Sequence, residues 1–199
     1  ALQAQNAKKI SIFTCAEDPK AGIAGVGPYS FTSSVAAQVQ GAAFGEWGYE
    51  KKNWRTAYVL LDDSIEYDKS VCAGFDWMFP KKGGKIVGHD TFKNDDASIA
   101  SQVTRIRNAI SSQKVDVLML CTYLSGGSSA IRQIRAAGIN LPIANGSSMD
   151  GTYWLGAVPD LKDFYVPVQA SIYGDDPNPE VNNLIAAYRV INIVFSVRP

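Results

Sequence analysis

Four short segments of this sequence gather hydroxyls, amides, carboxylates and tyrosines beside glycine turns: 62–67 (DDSIEY), 93–96 (KNDD), 121–126 (CTYLSG) and 145–150 (NGSSMD). Such a set suits a small polar or anionic ligand, because loop hydroxyls and exposed helix N–H groups can bond its oxygens. Catalytic chemistry is poorly supported. Asp62 and Asp63 could hold magnesium at a strand end, but phosphoryl transfer also wants a third acidic ligand and a later lysine, and neither 121–122 nor 145–146 supplies the lysine. The plainer reading makes Asp63 a helix cap and Asp62 a solvated charge. The segment SGGSS (125–129) can cradle an anion, yet it is not G-x-x-x-x-G-K-[ST]. Residues 145–149 lack the G-x-S-x-G spacing of a nucleophile elbow. The single histidine, His89, falls inside a strand-like run, away from the loops where a Ser–His or Cys–His pair would need it. No metal and no cofactor is expected.

The elements that must position these loops alternate. Residues 56–61 (TAYVLL) form a short apolar strand. A helix follows with Val71, Phe75 and Met78 or Phe79 on one side, stopped by Pro80 and the pair Gly83 and Gly84. Residues 85–92 read as the next strand. A helix over 97–112 sets Ile99, Val103, Ile106 and Ile110 on one face, with Asp95 or Asp96 as its cap. Residues 115–120 are an apolar run of the kind covered on both faces. A helix opening at Ser125 turns Ile131, Ile134 and Ala137 inward and ends at Gly138. Residues 141–144 and 163–166 supply two further short strands, and a helix over 35–47 precedes the first strand of the series.

Repeated strand–helix units predict an α/β fold: a doubly wound parallel sheet with helices on both faces. Residues 34–170 read as one near-complete lobe. Residues 1–33, with a strand at 9–13 and an extended 28–31, read as part of a second lobe and its hinge. Residues 171–199, with a helix at 180–188 and a β-rich end at 190–197, read as a return segment. In such a sheet ligands bind beyond the carboxyl ends of the strands, where all four loops fall. Tyr67 and Tyr123 each lie just past a strand on that edge, placed to flank a ligand. The four tryptophans, Trp47, Trp54, Trp77 and Trp154, read as packing residues.

Composition narrows the function classes. Over 199 residues, 19 Lys and Arg balance 19 Asp and Glu, which argues against nucleic acid as the main partner. A hydrophobic share of 46% supports a real core. No apolar run reaches the roughly 18 residues of a membrane span, and no signal peptide is visible. Cys15, Cys72 and Cys121 are widely spaced and odd in number, so they read as small buried hydrophobes without a disulfide framework.

An ordered series of stretches carries a resemblance: GPYSFTSSVAAQVQGAA, NWRTAYVLLDDSIEYDKSVCAGF, KKGGKIVGHDTF, DASIASQVTRIRNA, VDVLMLCTYLSGGSSAIRQIRAAGINLPIANGSSMDG and DDPNPEVNNLIAAYR. Over about 9–189 the sequence resembles the type I periplasmic solute-binding proteins of branched-chain amino acid type (Leu/Ile/Val-binding) ABC transporters. The resemblance implies two α/β lobes that close on a small molecule without chemistry, delivery to a membrane permease, and a periplasmic location. It also implies that residues 34–170 are the second lobe and that roughly 80 to 100 residues of the first lobe would precede the chain. An incomplete first lobe leaves apolar surface open, so self-association is expected.

The resemblance carries over ligand-binding positions one at a time. The first-lobe loop before a proline is Cys15, Ala16, Glu17 and Asp18 here, and Glu17 departs from the small or hydroxyl residues usual there. The tyrosine past the first strand of the lobe matches Tyr67, followed by Asp68 where glycine is usual. Thr122 and Tyr123 follow the third strand. The acidic residue that often receives an α-ammonium aligns near Ser147, which carries no charge. A plain aliphatic amino acid would lose that charge-assisted bond here, and the expected solute is an amino acid, an organic acid or an amide. A carboxylate-bearing or neutral organic compound fits, and Glu17 is available to a cationic group. Two other readings remain open here: a ligand-sensing regulatory module of the same fold, and a small metal-dependent α/β enzyme using Asp62 or Asp63.

Overall fold

A computed structural model describes residues 1–190. A short helix α1 (Leu2–Asn6) leads to β1 (Ser11–Phe13), which pairs in parallel with β2 (Ser30–Thr32) as a separate two-stranded sheet. Helix α2 (Ala37–Glu50) then opens a run of alternating elements: β3 (Thr56–Asp62), α3 (Glu66–Lys82), β4 (Lys85–Phe92), α4 (Ala100–Ser112), β5 (Val117–Cys121), α5 (Gly126–Ala136), β6 (Ile143–Ala144) and β7 (Phe164–Tyr165). Helix α6 (Pro179–Val190) ends the described chain. The β-rich end expected at 190–197 lies outside the described residues, apart from Val190, which belongs to α6.

The five strands β4-β3-β5-β6-β7 stand in that order, and every pairing is parallel. Parallel strands carry apolar residues on both faces because helices cover both. Tyr58, Leu60, Leu118 and Leu120 face one core with Ile106, Ile131 and Ile134 of α4 and α5. Their neighbours Ala57, Val59, Val117 and Met119 face the other, with Phe44 of α2 and Phe75 and Phe79 of α3. Helices α2 and α3 approach through glycine: a Cβ on Gly41 would overlap the Val71 carbonyl oxygen, and one on Gly74 the Gln38 carbonyl oxygen.

Several expectations need correction. Cys72 and Cys121 are not independent hydrophobes but a disulfide, with S–S 2.08 Å and Cα–Cα 5.8 Å, joining α3 to the end of β5. Their separation of 49 residues hides a contact that only the strand order creates. Cys15 is exposed. Pro80 does not stop α3, which runs to Lys82; Gly83, at φ 105°, ends it with a left-handed turn. Neither Asp95 nor Asp96 caps α4, because the Asp96 carboxylate turns back to the Lys93 N–H at 2.8 Å. Trp77 is 57% exposed rather than packed. Gly138, at φ 78°, follows α5 as expected. No helix among the described residues is long and apolar enough to cross a membrane.

Candidate functional site

The chain leaves β3, winds through α3 to β4 on one flank, and returns through α4 to β5 on the other flank of β3. The strand order therefore reverses between β3 and β5, and the crevice beyond their carboxyl ends is where such sheets receive ligands. Asp62 and Thr122 stand at that point.

Asp62 is neither solvated nor a loose charge. It is fully buried; Oδ2 accepts from the Asn94 amide at 2.7 Å and the Thr122 hydroxyl at 2.9 Å, and Oδ1 accepts from the Ser64 N–H at 3.2 Å. Asp63 pairs with Lys93 at 2.6 Å and caps nothing, since α3 starts after Ile65 without a side-chain cap. Asn94 also donates to the Tyr123 carbonyl at 3.0 Å and accepts from Gly126 N–H at 3.0 Å, so one amide ties three loops together. Asn145 Oδ1 accepts from Thr122 N–H at 3.2 Å and Gly146 N–H at 2.7 Å, and Ser148 Oγ donates to the Thr122 carbonyl at 2.7 Å.

A second network crosses from the N-terminal segment to the sheet edge. Ser147 Oγ donates to Glu17 Oε2 at 3.0 Å, and Gln40 Nε2 donates to the same oxygen at 2.8 Å. Gln40 Oε1 accepts from the Tyr67 hydroxyl and the Ser147 N–H, each at 2.9 Å. The Tyr67 oxygen in turn accepts from Ser148 N–H at 3.2 Å. Burial, and then the Glu17 charge, raise the Tyr67 phenol above its ordinary value. Lys20 and Glu66 add a rim ion pair at 2.7 Å between the same two segments.

The structure thus brings Glu17, Tyr67 and Ser147 into direct contact. Ala16 adjoins them through its backbone, its carbonyl accepting from the Thr32 hydroxyl at 2.6 Å. Cys15 is exposed, with Sγ 3.7 Å from the Thr14 hydroxyl. Thr122 is fully buried, and its hydroxyl serves Asp62. No hydrogen bond joins Tyr123 to the Glu17 cluster; partial burial, then the charges of Asp62, Asp68 and Asp95, raise its phenol. His89 is exposed and bonds Asp76 at 3.0 Å. Sequence reasoning placed Asn94 and Asn145 in the candidate loops without giving either a role of its own, and it missed Gln40. Gln40 had a signal: it is a polar side chain on the face of α2 that Ala37, Gly41 and Phe44 bury. A separate groove of about 490 Å³, lined by Trp154, Phe164, Val168 and Tyr173, touches the 145–150 loop only at Met149 and Asp150.

Among proteins with curated annotation, none matches the sequence. A family model described as periplasmic binding protein matches residues 1–190. Among solved structures, the leucine-binding protein LivK of Thermotoga maritima superposes with a TM-score of 0.79 at 16% identity, over 96% of this chain and 52% of that one. A solute-binding protein of an ABC transporter from R. palustris, in complex with benzoate, gives 0.73 at 18% identity, over 96% and 51%. The branched-chain amino acid transporter substrate-binding protein LivJ of Streptococcus pneumoniae, in complex with isoleucine, gives 0.68 at 18% identity, over 92% and 57%. The chain spans about half the length of these structures.

Proposed function

The chain belongs to the periplasmic binding protein family, and from that membership we propose that it is the solute-binding component of an ABC transporter. It holds a small organic solute at the carboxyl edge of β3, β5 and β6, under the segment 1–33. Ligand binding favours the closed arrangement of that segment on the sheet, and a membrane permease takes the solute onward. The observation that carries this reading is the contact of Glu17 with Ser147 at 3.0 Å, because it joins the N-terminal segment to the loop beyond β6 across the crevice. Glu17, Tyr67 and Ser147 are the residues placed to meet the solute, with Cys15, Ala16, Thr122 and Tyr123 around them. Turnover has less support: Asp62 spends its oxygens on Ser64, Asn94 and Thr122, and Asp63 spends its charge on Lys93. The buried disulfide fits an oxidising, extracytoplasmic compartment.

A thermal-shift screen with amino acids, aromatic acids and amides tests this reading. A solute that binds only the folded state raises the melting temperature in proportion to the logarithm of its concentration. Glu17→Ala combined with Tyr67→Phe should abolish the shift while circular dichroism stays native. If no compound of the three classes moves the transition, the receptor reading fails for those classes.

A further inference from the structure

We propose that the buried carboxyl of Asp68, together with Asp62 and the Tyr123 ring, is the seat for a positively charged alkylammonium group of the bound solute. This deepens, and rests on, the receptor reading above.

Asp68 is fully buried, and neither of its carboxylate oxygens has a hydrogen-bond partner. It stands one helical turn before Cys72, whose disulfide to Cys121 pins this face of α3 against the end of β5. That places the carboxyl beside the Thr122–Tyr123 loop at the point where the strand order reverses. Its neighbour Asp62 is also fully buried and is bonded only to neutral donors. Among the described residues no lysine or arginine bonds either carboxylate. The two rim cations are engaged elsewhere, Lys20 with Glu66 at 2.7 Å and Lys93 with Asp63 at 2.6 Å.

A buried carboxylate without a partner is costly, so the empty protein keeps Asp68 protonated. Burial first, and the Asp62 charge second, push its carboxyl up to about 8. Of the other titratable groups, Tyr123 after β5 feels the charges of both Asp62 and Asp68, and Lys93, paired with Asp63, feels that of Asp62. Tyr67, next to it on α3, turns its hydroxyl to Gln40. A cation is the chemistry that can replace the proton: the acid ionises, the proton leaves to solvent, and the ammonium supplies the missing charge. Tyr123 offers a π face for the same group, and among the described residues its hydroxyl makes no hydrogen bond. The aromatic wall favours an organic cation over a metal ion. Consistent with this, no group of three or more His, Cys, Asp or Glu side chains among the described residues is arranged to hold a metal.

The test is isothermal titration of the protein in its full natural length with choline, putrescine and L-lysine. Benzoate and benzamide serve as solutes without an ammonium group and calcium chloride as an inorganic cation. Each titration is run at pH 7 in two buffers of different ionisation heat. At least one of the three cations should bind and release up to about one proton. Asp68→Asn, which removes only the ionisable oxygen, should weaken that binding about tenfold or more and abolish the proton release, with an unchanged circular dichroism spectrum. Binding of benzoate or benzamide alone, indifferent to Asp68→Asn, overturns the proposal and leaves the receptor reading standing. A response to calcium chloride alone that vanishes in Asp68→Asn assigns the seat to an inorganic ion and overturns the proposal. No binding by any solute overturns both.

Discussion

Glu17 and Ser147, 130 residues apart in sequence, share a hydrogen bond of 3.0 Å that ties the N-terminal segment to the loop beyond β6. Gln40 donates to the same Glu17 oxygen, so one carboxylate gathers two donors from two elements. A hydrogen bond to a charged group at a partly exposed site is worth about 1–2 kcal/mol. Glu17→Gln should therefore lower the unfolding free energy by about 1 kcal/mol. In a double-mutant cycle with Ser147→Ala the two losses should be non-additive by at least about 0.5 kcal/mol, measured by urea denaturation. Additive losses would mean that the contact does not persist in solution.

The disulfide closes a long loop, its cysteines 49 positions apart in sequence. Removing the link by Cys72→Ala with Cys121→Ala should cost about 4 kcal/mol, because the unfolded chain regains the entropy of that loop. Mass spectrometry of the native protein after alkylation should show modification at Cys15 alone, the one exposed thiol among the described residues. Labelling of Cys72 or Cys121 under native, non-reducing conditions would refute the bridge.

Stability should fall as pH rises through the range set by Asp68. Its carboxyl is pushed from the ordinary 3.8 up to about 8. Between those values the folded state holds a proton that the unfolded state has lost, so raising the pH favours unfolding. Asp68→Asn removes this dependence. At pH 8 the variant should be more stable than the parent, by an amount on the order of a few kcal/mol. Near pH 4 the two should converge. Urea titrations at pH 4, 6 and 8 read this directly, and a constant difference between the proteins would exclude a buried, neutral Asp68.

Helices α2 and α3 meet where glycine allows backbone contact. Gly41→Ala places a methyl on the Val71 carbonyl, and Gly74→Ala places one on the Gln38 carbonyl. Neither obstacle is a flexible side-chain end, so the helices must separate. Each change should cost about 1–3 kcal/mol in chemical denaturation, more than the gain in helix propensity returns. Gly138→Ala is the contrast: open space surrounds it, and its cost should come only from the left-handed φ of 78°.

The fold was legible wherever local pattern and final burial coincide. Strand β4 runs from Lys85 to Phe92, the limits read from the sequence, and the face of α4 formed by Val103 and Ile106 is buried as its spacing requires. What stayed hidden depends on which strands become neighbours. Cys72 meets Cys121 only because β5 lies against β3 rather than β4. Glu17 meets Ser147 only because the N-terminal segment folds over the same edge. Asp62 looked like a solvated charge at a strand end, and its burial required an amide from Asn94 that no spacing announces. Asp68 stood out in the sequence only as a departure from the glycine usual at that place; its unpartnered carboxyl became visible once α3 was seated on β5.

Hydrogen–deuterium exchange with and without the solute that gives the largest thermal shift tests the location of the binding site most directly. The account predicts slower exchange at 15–18, 62–68, 121–126 and 145–150 together, because the solute would close the N-terminal segment onto the carboxyl edge of the sheet. Protection confined to 154–173, around the separate groove, with those four segments unchanged, would contradict it.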